Sequence, residues 1–104
     1  MTSPHIAAGS TNGSGWETHN SGAKLHVDTS SGNFSDTPVY TISIGGSGGS
    51  MWSLTGGTSG VYSPTPTGFD VYLKWADGSS LTGEDANSFG WYVNWVGVEN
   101  VILR

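Results

Sequence analysis

The segment from Trp91 to Asn100 carries large apolar side chains on both faces of a single extended strand. Side chains alternate between the two faces of a strand, so odd-numbered and even-numbered positions look in opposite directions. A strand that is apolar on both faces needs cover on both, and here one cover is the protein's own core and the other a neighbouring subunit. Which face is which stays open at this point. The odd-numbered face holds Trp91, Val93 and Trp95. The even-numbered face holds our interface candidates, Tyr92, Asn94, Val96 and Val98.

The composition favours a binding domain for a neutral, hydroxyl-rich ligand. The 104 residues suffice for one domain with a modest core, and the absence of cysteine excludes disulfides and a cysteine nucleophile. Three basic residues against eight acidic ones give a net charge of -5, which repels a phosphate backbone, so we expect no nucleic acid as a partner. Only 11% of the residues are charged, whereas five tryptophans, four tyrosines and 17 glycines are present, which is typical of short strands and tight turns.

The pattern of alternation predicts an all-β fold, a six-stranded antiparallel β-sandwich. Residues 1–15 are polar and rich in Gly, Ser and Thr, so we expect a flexible N-terminal segment followed by one β-sandwich domain over residues 16–104. Only Leu81–Asn87 has the character of a short helical turn. The predicted strands before the last one are Lys24–Asp28, Val39–Ile44, Met51–Thr55, Val61–Ser63 and Gly68–Trp75.

The start of the chain does not look like a signal peptide, because it has no basic residues and no apolar stretch of sufficient length. No run of about 18 apolar residues occurs, so we expect no membrane insertion. The sequence therefore predicts a soluble protein with no encoded export route. It is equally compatible with a module of a longer extracellular protein, and the compartment stays open.

Three blocks of the chain share the order and character of one known family. The first is the proline-led strand 37–44, the second runs from Val61 through the Pro-Thr-Gly-Phe turn at 66–69 to Trp75, and the third, at 93–100, contains a Trp and ends in Glu-Asn. Together they resemble the H-type lectins, small galactosamine-binding agglutinins of snails and of discoidins. The resemblance implies a six-stranded sandwich that forms a homotrimer and binds glycans or glycoconjugates of the galactose or N-acetylgalactosamine type in clefts between subunits.

The resemblance also implies a set of sugar-binding residues. The family's aromatic residue at the end of its penultimate strand matches Trp75, and the aromatic residue entering its last strand matches Phe89. The histidine that follows the tryptophan in the family is Ala76 here. The family's N-terminal aspartate has His19 and Asn20 as the nearest residues by position.

The chemistry of the residues themselves adds three sugar-binding candidates. Sugar recognition needs an aromatic face against the C–H groups of the ring and planar polar groups for the hydroxyls. Trp52 emerges from a Gly-rich loop as a second aromatic platform, and Asp77 and Asn87 in the long loop after Trp75 supply acceptors and donors. Core packing is the alternative for both tryptophans, since aromatic residues are more often structural than functional.

Three other functions compete with sugar binding. The acidic residues of the loop 76–87 have the density of a calcium site without its ligand spacing, so we interpret them as a solvated turn and expect no metal and no cofactor. A glycosidase would need two carboxylates across a groove, such as Asp70 with Asp77 or Glu84, and a chain of this length offers little room for one, so we expect no enzyme. A structural trimerisation or attachment module without sugar affinity is the alternative to a lectin.

Overall fold

The structure is a computed structural model that describes residues 2–54 and 60–102. These residues form seven strands, one α-helix and two short 3-10 helices, at Ser30–Gly32 and Met51–Ser53. The α-helix, α1, spans Gly83–Phe89. The strands are β1 (Thr2–Ser10), β2 (Glu17–His19), β3 (Gly22–Asp28), β4 (Val39–Gly45), β5 (Tyr62–Thr65), β6 (Gly68–Leu73) and β7 (Tyr92–Ile102).

Two antiparallel sheets face each other, which confirms the predicted all-β sandwich. One sheet has three strands in the order β1-β7-β4, and the other has four in the order β2-β3-β6-β5. The side chains between them form a single hydrophobic core. The core includes Trp91, Val93 and Trp95 from the chain entering and forming β7, and Leu25, Val27, Phe69, Val71 and Leu73 from β3 and β6.

The two faces of β7 have different surroundings, which answers the question left open by the sequence. The odd-numbered face is the core face, since Trp91, Val93 and Trp95 are all buried. The even-numbered face lies on the outside of the three-stranded sheet. Tyr92, Val96 and Val98 are exposed there, and Asn94 is half-buried.

The first strand corrects the prediction of a flexible segment over residues 1–15. β1 pairs with β7 along all nine of its residues. Its apolar pattern is weak in the sequence because the inward positions hold His5, Ala7 and Gly9 and no large apolar side chain. Ala7 packs against the core, and a Cβ atom at Gly9 would come within 2.9 Å of ring atoms of Trp95. Close approach of the backbone to a large ring therefore takes the place of apolar bulk in β1.

The predicted strand over Met51–Thr55 is wrong. Its first three residues form a 3-10 helix, Leu54 makes one isolated bridge with Trp75, and its last residue lies outside the described residues. Ser50, the residue before this 3-10 helix, adopts a left-handed backbone conformation with φ 53, which extended chain does not. With β1 and β2 added and this segment removed, the described residues hold seven strands rather than the predicted six.

The predicted helical turn is confirmed as α1, shifted by two residues. The Thr82 hydroxyl accepts a hydrogen bond from the Asp85 N–H (3.0 Å), and the Asp85 carboxylate accepts one from the Thr82 N–H (3.3 Å). This reciprocal pair satisfies N–H groups that the start of a helix leaves unpaired. Gly90, with φ 71, ends the helix and leads the chain into β7. In the part of the chain that the structure describes, no helix has the length and apolar character needed to cross a membrane.

Candidate functional site

Several loops meet at one end of the sandwich, which we call the loop end. β4 ends beside the start of β7 in the register of their sheet. The loop that follows β4 and the loop that precedes β7 therefore lie at the same end of the sheet. Main-chain hydrogen bonds of 3.0 Å run from Ala76 N–H to the Ser53 carbonyl and from Leu81 N–H to the Ser21 carbonyl. These contacts hold the loops against one another. The loop end comprises the turn 19–21, the loops 46–54 and 74–82, and the junction 89–91.

Trp75 and Phe89, which the family resemblance implies as sugar contacts, both pack on Trp91. The ring centroids of Trp75 and Trp91 are 5.7 Å apart with planes at 82°, and those of Phe89 and Trp91 are 5.0 Å apart with planes at 36°. Trp91 is fully buried, and its indole N–H donates to the Gly48 carbonyl (2.9 Å). The structure therefore brings the two candidates together as the half-buried outer layer of an aromatic cluster whose centre belongs to the core.

Trp52 stands apart from this cluster, with 87% of its surface exposed. It borders a shallow depression of about 330 Å³ lined by glycine and serine residues of the loop 46–51. Gly49, with φ 69, holds that loop against Phe89, because a Cβ atom at Gly49 would come within 2.6 Å of the Phe89 ring. An exposed indole beside hydroxyl and main-chain groups has the two elements that sugar recognition needs.

The carboxylate of Asp77 is held within its own turn. It accepts hydrogen bonds from the Ser79 hydroxyl (2.6 Å) and the Ser79 N–H (2.9 Å). These hydrogen bonds, with the hydroxyl as the larger effect, lower the pKa of Asp77 below its usual value. Asp77 is therefore ionised and exposed at neutral pH, the form that accepts hydrogen bonds from sugar hydroxyls.

The amide of Asn87 is engaged by the main chain of Trp16. Its Oδ1 accepts from the Trp16 N–H (2.9 Å), and its Nδ2 donates to the Trp16 carbonyl (3.0 Å). The Trp16 indole N–H in turn donates to the Trp91 carbonyl (2.9 Å). This pairing gives Asn87 a bracing role between α1 and the residues that enter β2, so it is a weaker sugar-binding candidate than Asp77.

His19 and Asn20 line a second depression, where the loop end meets the outer side of the four-stranded sheet, which we call the tyrosine cleft. The cleft measures about 360 Å³, and Tyr62, Tyr72 and Lys74 also line it. The Tyr72 ring centroid lies 5.1 Å from that of His19 and 4.9 Å from that of Tyr62. The sequence analysis misses the two tyrosines, because they become neighbours only through the pairing of β5 with β6. The alternation of β6 does place Tyr72 on the outer face of the sheet, and this is the sign in the sequence that its ring is available at the surface.

The acidic residues considered for metal binding or catalysis are dispersed. Among the residues 2–54 and 60–102, no group of three His, Asp or Glu side chains is placed to hold a metal ion. The Asp70 carboxylate lies 2.9 Å from Nδ1 of His26 on the outer face of β6 and β3. Asp77 is bonded to Ser79, and Asp85 caps α1. Each of these carboxylates thus has its own local partner.

An exposed apolar stripe crosses the outer face of the three-stranded sheet. Val98 of β7 pairs with Ile6 of β1 on one side and with Val39 of β4 on the other. Ile6 is 63% exposed and Val39 is 74% exposed, and Val96 and Tyr92 continue the stripe along β7. Sequence analysis misses Ile6 because it lies in the segment predicted to be flexible, and Val39 because only the inward residues of its strand draw attention.

Comparisons of the chain with known protein families, with curated proteins and with solved structures find no match. The site is therefore interpreted from its own chemistry. The described residues define a β-sandwich with an exposed indole at the loop end, a cleft walled by tyrosines on one sheet and an apolar stripe on the other.

Proposed function

We propose that this protein is a lectin, a non-catalytic carbohydrate-binding module that forms a homotrimer and binds galactose-type or N-acetylgalactosamine-type glycans at clefts between its subunits. The observation that carries the proposal is the 87% exposure of Trp52 at the loop end. Leaving an indole in water forgoes the free energy of burying it, so an exposed indole on a loop held by close packing favours a ligand that covers the ring.

Sugar rings suit the surface around Trp52. A galactose-type ring presents a patch of C–H groups on one face, which packs against an indole. Serine hydroxyls and main-chain groups of the loop 46–51 supply partners for the ring hydroxyls. The ionised Asp77 adds an acceptor at the same end of the sandwich, and the half-buried rings of Trp75 and Phe89 add apolar surface.

The apolar stripe supports the trimer. Ile6, Val98 and Val39 form a continuous band across three strands that a monomer leaves in water. A closed trimer covers this band in every subunit with one repeated contact. Three sites on one particle then raise the avidity for a glycan surface, even where each site binds weakly.

A glycan array probed with the intact protein tests the proposal, and Trp52→Ala is the deciding variant. We expect the wild-type protein to bind galactose-type glycans and Trp52→Ala to lose about 1–3 kcal/mol of binding free energy, the size of a buried stacking contact. Trp52→Phe keeps a smaller aromatic face and should retain part of the binding. Because Trp52 is exposed, both variants should unfold at the wild-type temperature. Absence of binding to every glycan, at concentrations where the trimer is intact, contradicts the proposal.

A structural trimerisation or attachment module is the second candidate, and the apolar stripe is the observation that favours it. Such a module needs the stripe but has no use for Trp52. Such a module would bind no glycan on the array, and Trp52→Ala would change neither its oligomeric state nor its stability. Neither candidate is an enzyme, so we expect no reducing sugar to be released from any glycan incubated with the protein.

A further inference from the structure

The tyrosine cleft contains a lysine although the protein is acidic. The chain has three basic residues against eight acidic ones. Two of the three, Lys24 and Lys74, lie beside Tyr72. Lys24 is its cross-strand partner on β3, and Lys74 follows it by two positions, just past the end of β6. The third, Arg104, lies outside the described residues. Of the two described lysines, only Lys74 lines the cleft.

The two lysines relate to Tyr72 in different ways. The Lys24 ammonium lies over the Tyr72 ring, 5.7 Å from its centroid, where the ring itself attracts the charge. Lys74 is exposed and lines the cleft together with His19 and Asn20. A molecule bound in the cleft therefore meets the charge of Lys74, whereas Lys24 does not line the cleft.

Lys74 has no carboxylate within ion-pair distance in the described part of the chain, whereas Lys24 lies opposite Glu17 of β2. The ion pair found there joins His26 to Asp70, and neither lysine takes part in one. None of the residues that line the cleft is acidic. The cleft is therefore a local site of attraction for an anion on a protein whose net charge repels anions at long range.

We propose that the tyrosine cleft binds a carboxylated sugar of the uronic acid type. The inference rests on the proposed sugar-binding function and adds a second subsite with its own class of sugar. Tyr62 is 47% exposed and offers its ring to the C–H face of the sugar. The amide of Asn20 and the ring nitrogens of His19 lie in the same cleft and suit the hydroxyls. The Lys74 ammonium pairs with the carboxylate through a charge-assisted hydrogen bond.

The combination of ring and charge distinguishes this ligand class from simpler ones. A free inorganic anion uses the ammonium group of Lys74 and leaves the tyrosine wall uncovered. A neutral sugar uses the wall and leaves the ammonium without a partner. A sugar acid engages both at once, within a cleft of about 360 Å³.

Two probes test the inference: trigalacturonate and its fully methyl-esterified form, which keeps the sugar rings and hydroxyls and has no charged carboxylate. Each is titrated into the wild-type protein, and binding is followed by the amide signals in proton–nitrogen NMR spectra. We expect trigalacturonate to bind about tenfold more tightly than the ester, which is the size of one hydrogen bond to a charged group. The shifted signals should lie in the turn 19–21 and at Tyr62 and Tyr72.

Lys74→Met and Lys24→Met are matched variants, because each removes one positive charge beside Tyr72 and keeps an unbranched apolar stem. Lys74→Met should abolish the preference for the acid over the ester. Lys24→Met should keep it to within about a factor of two, since Lys24 does not line the cleft and solvent screens a charge that makes no direct contact with the ligand. Tyr62→Ala should weaken the acid and the ester alike, because it removes the ring that both ligands cover.

Several outcomes overturn the inference and leave the lectin proposal standing. These are failure of trigalacturonate to bind, equal affinity for acid and ester, equal effects of the two lysine variants, and signal shifts around Trp52 instead of the cleft. The lectin proposal is decided separately, by galactose-type glycans on the array and by Trp52→Ala. Failure of both probes and of every arrayed glycan would remove both proposals together.

Discussion

Glu99 is a charged side chain on the inner face of β7, where it is only 9% exposed. Its carboxylate accepts hydrogen bonds from the Ser35 N–H (2.9 Å) and the Asp36 N–H (3.0 Å). The bond from the Ser35 N–H is the main cause that holds the pKa of Glu99 below its usual value of 4.5, against the opposing effect of burial. The ionised carboxylate thereby fastens the loop before β4 to the central strand of its sheet.

This arrangement predicts that Glu99 stabilises the fold in a pH-dependent way. A group with a lower pKa in the folded than in the unfolded state contributes its full stability above the unfolded value, here near 4.5, and loses it as the pH falls through the folded pKa. Glu99→Gln should therefore unfold at lower urea concentration than the wild type at pH 7, and the difference should shrink at pH 3. Glu84→Gln, an equal change of charge at an exposed helix position, is the control. A difference between Glu99→Gln and the wild type that stays constant with pH would contradict this role.

Single residues also show how far the sequence predicts the candidate site. Aromatic residues at loop ends are recognisable as candidates, so Trp52 and Trp75 are found. Their surroundings are not, because the contact of Trp75 with Trp91 and the pairing of Asn87 with Trp16 join residues far apart in the chain. The sequence around a residue does not indicate which distant residues it will contact. A polar loop residue therefore looks free until the structure shows what it binds.

At the scale of elements, large inward side chains make a strand predictable. Phe69, Val71 and Leu73 of β6 point toward the core at alternate positions. This alternation predicts the strand without any knowledge of its neighbouring strands. β1 faces the core with His5, Ala7 and Gly9 and with no large apolar side chain, and its fit depends on the Trp95 ring that lies against Gly9. A strand whose packing depends on the shape of a neighbouring side chain has no apolar alternation in its sequence, so the sequence pattern does not predict it.

The fit between β1 and β7 predicts a sharp contrast between adjacent positions. Gly9→Val should destabilise the protein by about 1–3 kcal/mol, since overpacking forces the strand away from the Trp95 ring. Ala8→Val changes the neighbouring residue on the exposed face and should have little effect. Urea unfolding measures both, and amide hydrogen exchange should show faster exchange in β1 of Gly9→Val alone. Equal stability of the two variants would mean that Gly9 does not govern the packing of β1.

At the scale of the whole molecule, the two sheets present different outer faces. The three-stranded sheet exposes the apolar stripe, whereas the four-stranded sheet exposes charged and aromatic groups that include Lys24, His26 and Tyr72. One face thus suits association with copies of the chain, and the other suits contact with water and polar ligands. The division is visible only once the register of β1 and β4 against β7 is known.

The proposed trimer should come apart when a single charge is placed on the apolar stripe. Sedimentation of the wild-type protein should give about three times the subunit mass of 10.8 kDa, without growth to larger species at higher concentration. Val96→Asp should yield folded monomers, because Val96 lies on the outer face and the added carboxylates would lose hydration at the interface. Ser80→Asp places the same charge in an exposed loop and should leave the trimer intact.

Two results would contradict this assembly. A wild-type protein that stays monomeric at micromolar concentration would remove the trimer and the placement of sugar sites between subunits. Unfolding of Val96→Asp, in place of dissociation, would conflict with the outward position of Val96.

The pairing of β1 with β7 also bears on how the protein can be immobilised for the binding tests. Thr2 lies opposite Ile102, and β7 runs from the loop end to the opposite pole of the sandwich. A tag fused beyond either strand should therefore leave from the pole away from Trp52, so that the loop that carries Trp52 stays accessible on a tethered protein.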